Sequence, residues 1–460
     1  MNIILLISDT FRWDNLFDRA SMPVHTPELD RFARKRAVSM ENCWVSSFPT
    51  IPHRTDLTTG RYGWPWYPWQ PRKASSPNHA PEILSKGGFV SQLLCDCPHL
   101  FKTDFNLGFD AAYALRGHEG DKYFLRMNYP LKEVMPPEKT RTGDHFQGHN
   151  LPDVARWTNM HWRKEEDRLM ARTASQAVEW LEENYLYDPF FVWVDFFDPH
   201  EPWDPPEYMV KKYDPDYDGP PMIHPNYGKA DDLTDAELRN LRAHYCAESE
   251  LVDRWVGRVL QKIDDLDLWK NSIVVFTTDH GMSLGEHNRT GKSNINRNDD
   301  RMWPIYPEIA HIPLMIAAPG LESGRTVDEF VQPPDILPTL IDLAGVPAEP
   351  PERFHGKSIA PMLRGEKQAS LHDFVIAGQF RREGSASGGV PSCSPVVYTQ
   401  DWAYTPVGQN ESPELYALKN DPYAETNVIA DNPSTAEEMH ARLLDWLAEM
   451  DAPEQVGAIF

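Results

Sequence analysis

Four short apolar runs, at residues 3–7, 190–197, 273–277 and 313–317, set the frame for this chain. Each is long enough for a strand and too short for a helix, and none alternates with polar residues, so each predicts a strand covered on both faces. Segments with helical periodicity lie between them. Thr26-Pro27-Glu28-Leu29 places a cap and then proline at the first helical position. Thr234-Asp235-Ala236-Glu237 has the capping-box spacing and opens a long amphipathic stretch to about Leu266. Residues 335–344 form another helical stretch, stopped by Gly345 and Pro347. Buried strands alternating with helices predict an α/β fold with a large, mostly parallel sheet sandwiched by helices. Beyond about Gly365 the texture changes. Glycine and serine at 384–389 predict a flexible loop, followed by short strands at 395–399, 402–405 and 414–417 and an amphipathic helix near 435–450. The expectation is a catalytic α/β unit over 1–365 and a smaller C-terminal unit over 366–460, an antiparallel sheet carrying one helix.

Ligands of an open parallel sheet gather beyond the carboxyl ends of its strands. Three of the four runs end in groups suited to a divalent ion or an anion: Ser8-Asp9-Thr10, Asp198-Pro199-His200, and Thr278-Asp279-His280-Gly281. A single aspartate there is most simply a turn residue; three such ends together point to a site. Ser46 to Tyr62 adds a short helix with Pro52 early and Gly60 as its stop. Thr50 sits at the N-terminal mouth, where free N–H groups and partial positive charge suit a tetrahedral anion, and Arg54 one turn on reaches back toward the same point. Taken alone, Thr50 is equally an N-cap residue.

Composition excludes some partners. Lys and Arg number 45 against 69 Asp and Glu, a net charge of −24, which disfavours nucleic acid or an anionic membrane. No apolar run approaches the roughly 18 residues of a membrane span, and the first run lacks a basic leader and a cleavage site, so the expected location is cytoplasmic. Five cysteines fit a reducing compartment, with Cys95 and Cys97 structural. The 41 prolines and 15 tryptophans predict ordered, aromatic-rich loops, among them Trp64-Pro65-Trp66-Tyr67-Pro68-Trp69 and residues 202–225 as candidate pocket walls.

These motifs resemble the sulfatase family of the alkaline phosphatase superfamily along nearly the whole chain. That family's signature is Cys or Ser, any residue, Pro, any residue, Arg, then a helix ending in Thr-Gly-Arg-Tyr. Thr50-Ile51-Pro52-His53-Arg54 and Thr59-Gly60-Arg61-Tyr62 occupy those places. Phe197 to Pro202 is similar to the family's Pro-His-x-Pro loop, Thr278 to His287 to its second metal motif, and Gly291-Lys292 to its catalytic lysine. The resemblance implies a divalent metal on Asp9, Asp279 and His280, with Mn, Zn, Mg and Ca not distinguished. It implies catalytic roles for Thr50, Arg54, His200 and Lys292, the last two as cationic groups near the phosphoryl and leaving-group oxygens. Asp14 is expected as a further ligand or a support; His53, where a small residue is usual, is read as an exposed helical histidine in preference to a base next to Thr50.

Two departures bear on activity. Asp9 is followed by Thr10 and not by a second aspartate, a pattern more like the phosphonate monoester hydrolase and phosphodiesterase branch. Thr50 stands where sulfatases convert Cys or Ser to formylglycine, and a secondary alcohol cannot become that aldehyde. The expected activity is therefore hydrolysis of a phosphoric or phosphonic ester, small-molecule or saccharide, with Thr50 attacking directly. The alternatives are a sulfatase using another nucleophile and a non-catalytic anion-binding homologue. Homo-oligomerisation is left open.

Overall fold

The computed structural model describes residues 1–72, 78–119, 121, 135, 139–140, 148–292, 303–347, 350–366, 369–381, 392–409, 412–457 and 460. Its centre is an eight-stranded sheet in the order Thr326–Val331, Val38–Cys43, Leu314–Ala317, Ser272–Thr278, Asn2–Ser8, Phe190–Phe196, Val90–Cys95, Ala111–Ala114. Leu314–Ala317 runs antiparallel to both neighbours and the other pairings are parallel. The α/β expectation holds, with all four predicted runs in this sheet. Successive side chains of a strand point to opposite faces. Ile3, Leu5 and Ile7 accordingly enter one apolar cluster while Ile4 and Leu6 enter the other. Val38–Cys43, Val90–Cys95 and Thr326–Val331 were not foreseen, because polar residues break up their apolar pattern, nor was the four-residue, alanine-rich Ala111–Ala114.

The helices follow their local signals. Pro27–Lys35 starts on the predicted proline. Asp235–Asp265 opens on a capping box in which Thr234 and Glu237 each bond the other's backbone N–H. The helix Thr50–Thr59 ends at Gly60, whose φ of 65° is the left-handed conformation glycine adopts without strain. Toward the C-terminus, Val375–Arg381, Ser392–Tyr398, Trp402–Thr405 and Glu414–Ala417 form an antiparallel sheet. The helix Pro433–Glu449 packs on it through Met439, Leu443 and Leu447. A fifth strand, Ser47–Phe48, joins in parallel beside Val375–Arg381, so this small sheet is tied to the chain just before Thr50. The predicted loop at 384–389 lies outside the described residues. No helix among the described residues is long and apolar enough to cross a membrane.

Candidate active site

Sheet register alone brings the two aspartates together. Asn2–Ser8 and Ser272–Thr278 pair in parallel with Ser8 opposite Thr278, so Asp9 and Asp279 leave adjacent strands side by side. With His280 they form a buried group whose candidate ligand atoms lie within 4.8 Å of one another. Thr10 stitches the two ends: its N–H donates to Asp279 Oδ1 at 2.9 Å and its hydroxyl to Asp9 Oδ1 at 2.7 Å. Its φ of 65° is unusual for a β-branched residue and is held by those two bonds.

Arg54 is the cation of this centre. Its Nε and Nη2 bind Asp195 as a fork, each at 2.9 Å. Nη1 donates to Asp279 Oδ2 at 2.7 Å and to the Thr50 carbonyl at 3.2 Å, and Nη2 lies 3.2 Å from Asp9 Oδ2. One buried guanidinium thus faces three buried carboxylates and ties the start of the Thr50 helix to them. Lys292 Nζ donates to Thr10 Oγ1 at 3.3 Å and lies 3.9 Å from Asp9 Oδ1, adding a second cation on the other side.

The group fits a divalent ion on its own chemistry. His280 Nδ1 faces the Gly281 carbonyl at 2.9 Å, which makes Nδ1 the protonated nitrogen and leaves Nε2 with a lone pair, 3.4 Å from Asp279 Oδ2. That Nε2 and Asp9 Oδ2 are buried and accept no hydrogen bond. Burial, then the charge of Asp279, push the Asp9 carboxyl well above its ordinary range. Burial alone would raise Asp279 as well, but the Arg54 charge holds it well below. Burial lowers His280 to about 3, keeping the imidazole neutral as a metal ligand must be. Two carboxylates that cannot both ionise, beside a bare imidazole nitrogen, are what a cation would satisfy.

The family described as Sulfatase matches residues 1–346. The chain belongs to the sulfatase family. It is a hydrolase of the alkaline phosphatase superfamily, and a second family, N-sulphoglucosamine sulphohydrolase C-terminal, matches residues 297–452. It is 25% identical to an endo-4-O-sulfatase of Bacteroides thetaiotaomicron, covering 98% of this chain and 92% of that one. With the human arylsulfatase K it shares 24% identity over 96% of this chain and 81% of that protein. In structure it superposes on the phosphonate monoester hydrolase of Agrobacterium radiobacter with a TM-score of 0.75 at 22% identity, covering 97% and 95% of the two chains. That of Silicibacter pomeroyi gives 0.71 at 20% identity, covering 98% and 94%.

Within this sulfatase-family fold the other candidate residues divide. His200 stacks on Phe197 with centroids 4.0 Å apart and bonds the Glu201 carbonyl through Nδ1 at 2.7 Å. The expectation that it is cationic is corrected: burial, then the neighbouring Lys292 charge, hold it well below its ordinary pKa, so it is neutral. The charge of Lys292 acts on both His200 and His280, linking the Pro-His-x-Pro loop to the metal-ligand group. Asp14 turns away from that group to pair with Arg12 at 2.6 Å and accept from Tyr423 at 2.8 Å. Asp198 instead lies 3.5 Å from His118. His53 is not exposed; it is wholly buried. Trp64 packs against Trp446 at 5.7 Å. Trp66 and Tyr67 line a cleft of about 580 Å³ with Thr55, Thr59 and Arg72, which Asp9, Asp279, His280 and Arg54 do not line. The residue sequence reasoning missed is Asp195. A lone aspartate inside Phe-Phe-Val-Trp-Val-Asp-Phe was the available signal, a charge in a strand buried on both faces.

Proposed function

We propose that this chain is a divalent-metal-dependent hydrolase of phosphoric or phosphonic esters with Thr50 as direct nucleophile. The observation that carries this reading is threonine at the signature position of a helix whose first carbonyl, that of Thr50, is tied through Arg54 to Asp9 and Asp279. Asp9, Asp279 and His280 would hold the ion. When bound, it supplies Lewis-acid polarisation of the ester and lowers the pKa of a nearby hydroxyl.

The protein's own groups do the rest. Thr50 loses its proton to solvent, its Oγ1 forms the new bond to phosphorus, and the bond to the leaving alcohol breaks as that alcohol takes a proton from Lys292. Arg54 and the helix N-terminus hold the non-bridging oxygens. Because its Nδ1 proton is committed to the Glu201 carbonyl, His200 keeps the Nε2 lone pair, and we assign that nitrogen to accept a proton from the water that cleaves phospho-threonine. As the phosphorus–oxygen bond to Thr50 breaks, the proton taken by His200 passes to the Thr50 oxygen, which restores both groups, and water reprotonates Lys292.

Rates on aryl phosphate diester, phosphonate monoester and sulfate monoester substrates under Mn²⁺, Zn²⁺, Mg²⁺ and Ca²⁺ test this. Thr50→Ala is expected to lower kcat by roughly a thousandfold or more on the phosphorus esters; unchanged rates would overturn the nucleophile. One observation favours a second reading, sulfate-ester hydrolysis by another nucleophile: the curated relatives that span nearly the whole chain are named sulfatases. Preferential sulfate release that survives Thr50→Ala would select it.

A further inference from the structure

His53 stands three residues past Thr50 on the same helix. Residues i, i+3 and i+4 share a helix face, so Thr50, His53 and Arg54 look the same way. Arg54 shows where that face points, since it contacts Asp9 and Asp279. The charges that act on the His53 ring are those of Asp279, Arg54 and His280.

The ring is wholly buried, yet neither Nδ1 nor Nε2 has a hydrogen-bond partner. Buried polar groups are nearly always paired, and leaving them unpaired is unfavourable. A leucine would fill similar space without that penalty. His79 also lacks a hydrogen bond of ordinary geometry at either ring nitrogen, but the backbone of Phe105 and Leu107 acts on its ring and it packs edge to face against Phe105 and Phe109, with centroids 6.2 and 6.0 Å away. Among the described residues no aromatic partner of that kind faces His53, and the charges that reach its ring are those of the site.

We propose that His53 is a substrate-contacting residue, one ring N–H donating to an oxygen of the tetrahedral anion held beside Thr50. This rests on the reading of the Thr50 centre as an ester site. The anion would satisfy a donor that the folded chain leaves open, and stability is given up locally to keep that donor ready. Arg54 and Lys292 bring charge to the anion, whereas His53 adds a directed, neutral contact from the helix that carries the nucleophile.

The full-length protein loaded with Mn²⁺ is titrated with inorganic phosphate, and with sulfate as a second probe, by calorimetry, with metal content and melting temperature measured alongside. His53→Leu is expected to keep its metal, melt at or above the wild-type temperature, and bind whichever anion the wild type binds roughly tenfold more weakly. His53→Gln, which retains an N–H donor, is expected to stay within about threefold of wild type. His53→Ala gives the same comparison should leucine prevent folding. Wild-type anion affinity in His53→Leu or His53→Ala overturns the contact. So does loss of metal together with the anion, which would make His53 a support of the metal group, and so does a wild type that binds neither anion. The Thr50 reading is judged on turnover by Thr50→Ala, so either can fail while the other stands.

Discussion

Two buried charged clusters grow from the same strand end, and they are solved differently. Arg12 is fully committed: Nε and Nη2 hold Asp14 at 2.8 and 2.6 Å, while Nη1 holds Glu286 at 2.8 Å and the Met282 carbonyl at 3.0 Å. Asp14 takes a further bond from Tyr423. Arg54, which lies 3.2 Å from Asp9 Oδ2, is equally buried and equally forked, yet its surroundings retain Asp9 Oδ2, His280 Nε2 and both His53 nitrogens without a hydrogen-bond partner. The first cluster is complete as folded. The second has acceptors and donors left over, and leftover capacity in a dry, charged place is what binding and catalysis draw on. Buried charge alone did not separate the two; the count of unmet partners did.

The largest contrast comes from removing each arginine. Arg54→Ala leaves Asp9, Asp195 and Asp279 facing one another, and Arg12→Ala leaves Asp14 and Glu286 unpaired. Each is expected to lower stability by about 3–5 kcal/mol, because an uncompensated buried charge remains. The difference appears on adding metal. Excess Mn²⁺ should recover part of the Arg54→Ala loss, since a cation can sit among Asp9, Asp279 and His280, and should recover none of the Arg12→Ala loss. Chemical denaturation with and without Mn²⁺ measures this, and equal recovery of both variants would erase the distinction.

The next contrast is carboxylate by carboxylate. Asp9 is pushed up by burial and by Asp279, whereas Asp14, although burial alone would raise it, is held below its ordinary value by Arg12. Asp14→Asn should therefore destabilise the metal-free protein by about 2–3 kcal/mol. Asp9→Asn should leave that form as stable as wild type or more so, while weakening Mn²⁺ binding by at least about a hundredfold. Wild type should gain about 2.7 kcal/mol at a Mn²⁺ concentration a hundred times its Kd, and Asp9→Asn little at the same concentration. Melting curves across a metal titration decide both points. A metal-dependent shift retained in Asp9→Asn would remove Asp9 from the ligand group.

How far these differences could be read in the sequence follows from what carried each one. Asp9, Asp279 and His280 were legible because strand ends in a parallel sheet converge, and the register between two apolar runs does the rest. Thr50 and Arg54 were legible from helix punctuation and the signature spacing. Asp195 was hidden by the run around it, since a pattern of buried residues does not say which one is charged for a reason. His53 was misread as exposed because position on a short helix does not reveal which faces are covered; in Thr50–Thr59 every residue but Thr55 is buried. The partner of Asp14 lay two residues upstream, but nothing in the spacing ranked Arg12 over a metal. The charge of His200 depended first on burial and then on Lys292, a neighbour far away in the chain. Pairing in space, and its absence, is what a linear reading could not supply.

A third buried carboxylate marks the mild end of the series. Asp56, on the Thr50 helix, has no cation in contact among the described residues; it accepts hydrogen bonds from the Ser46 hydroxyl and from the Gly63 N–H at 2.7 Å. Burial is the main cause of its pKa rising from 3.8 to about 7, which those bonds only moderate. The folded protein therefore holds a proton that the unfolded chain has already lost. Stability from this group is full below pH 3.8 and is lost as pH rises through about 7. Between pH 5 and 7 the loss should be roughly 2 kcal/mol. In Asp56→Asn the amide keeps an acceptor for Gly63 and turns its own N–H toward Ser46, so that part of the pH slope should disappear. Urea midpoints of both proteins at pH 5, 6 and 7 test it. Parallel slopes would mean that Asp56 is ionised in the fold and stabilised by its hydrogen bonds alone, making it a third way of solving buried charge beside pairing and metal capture.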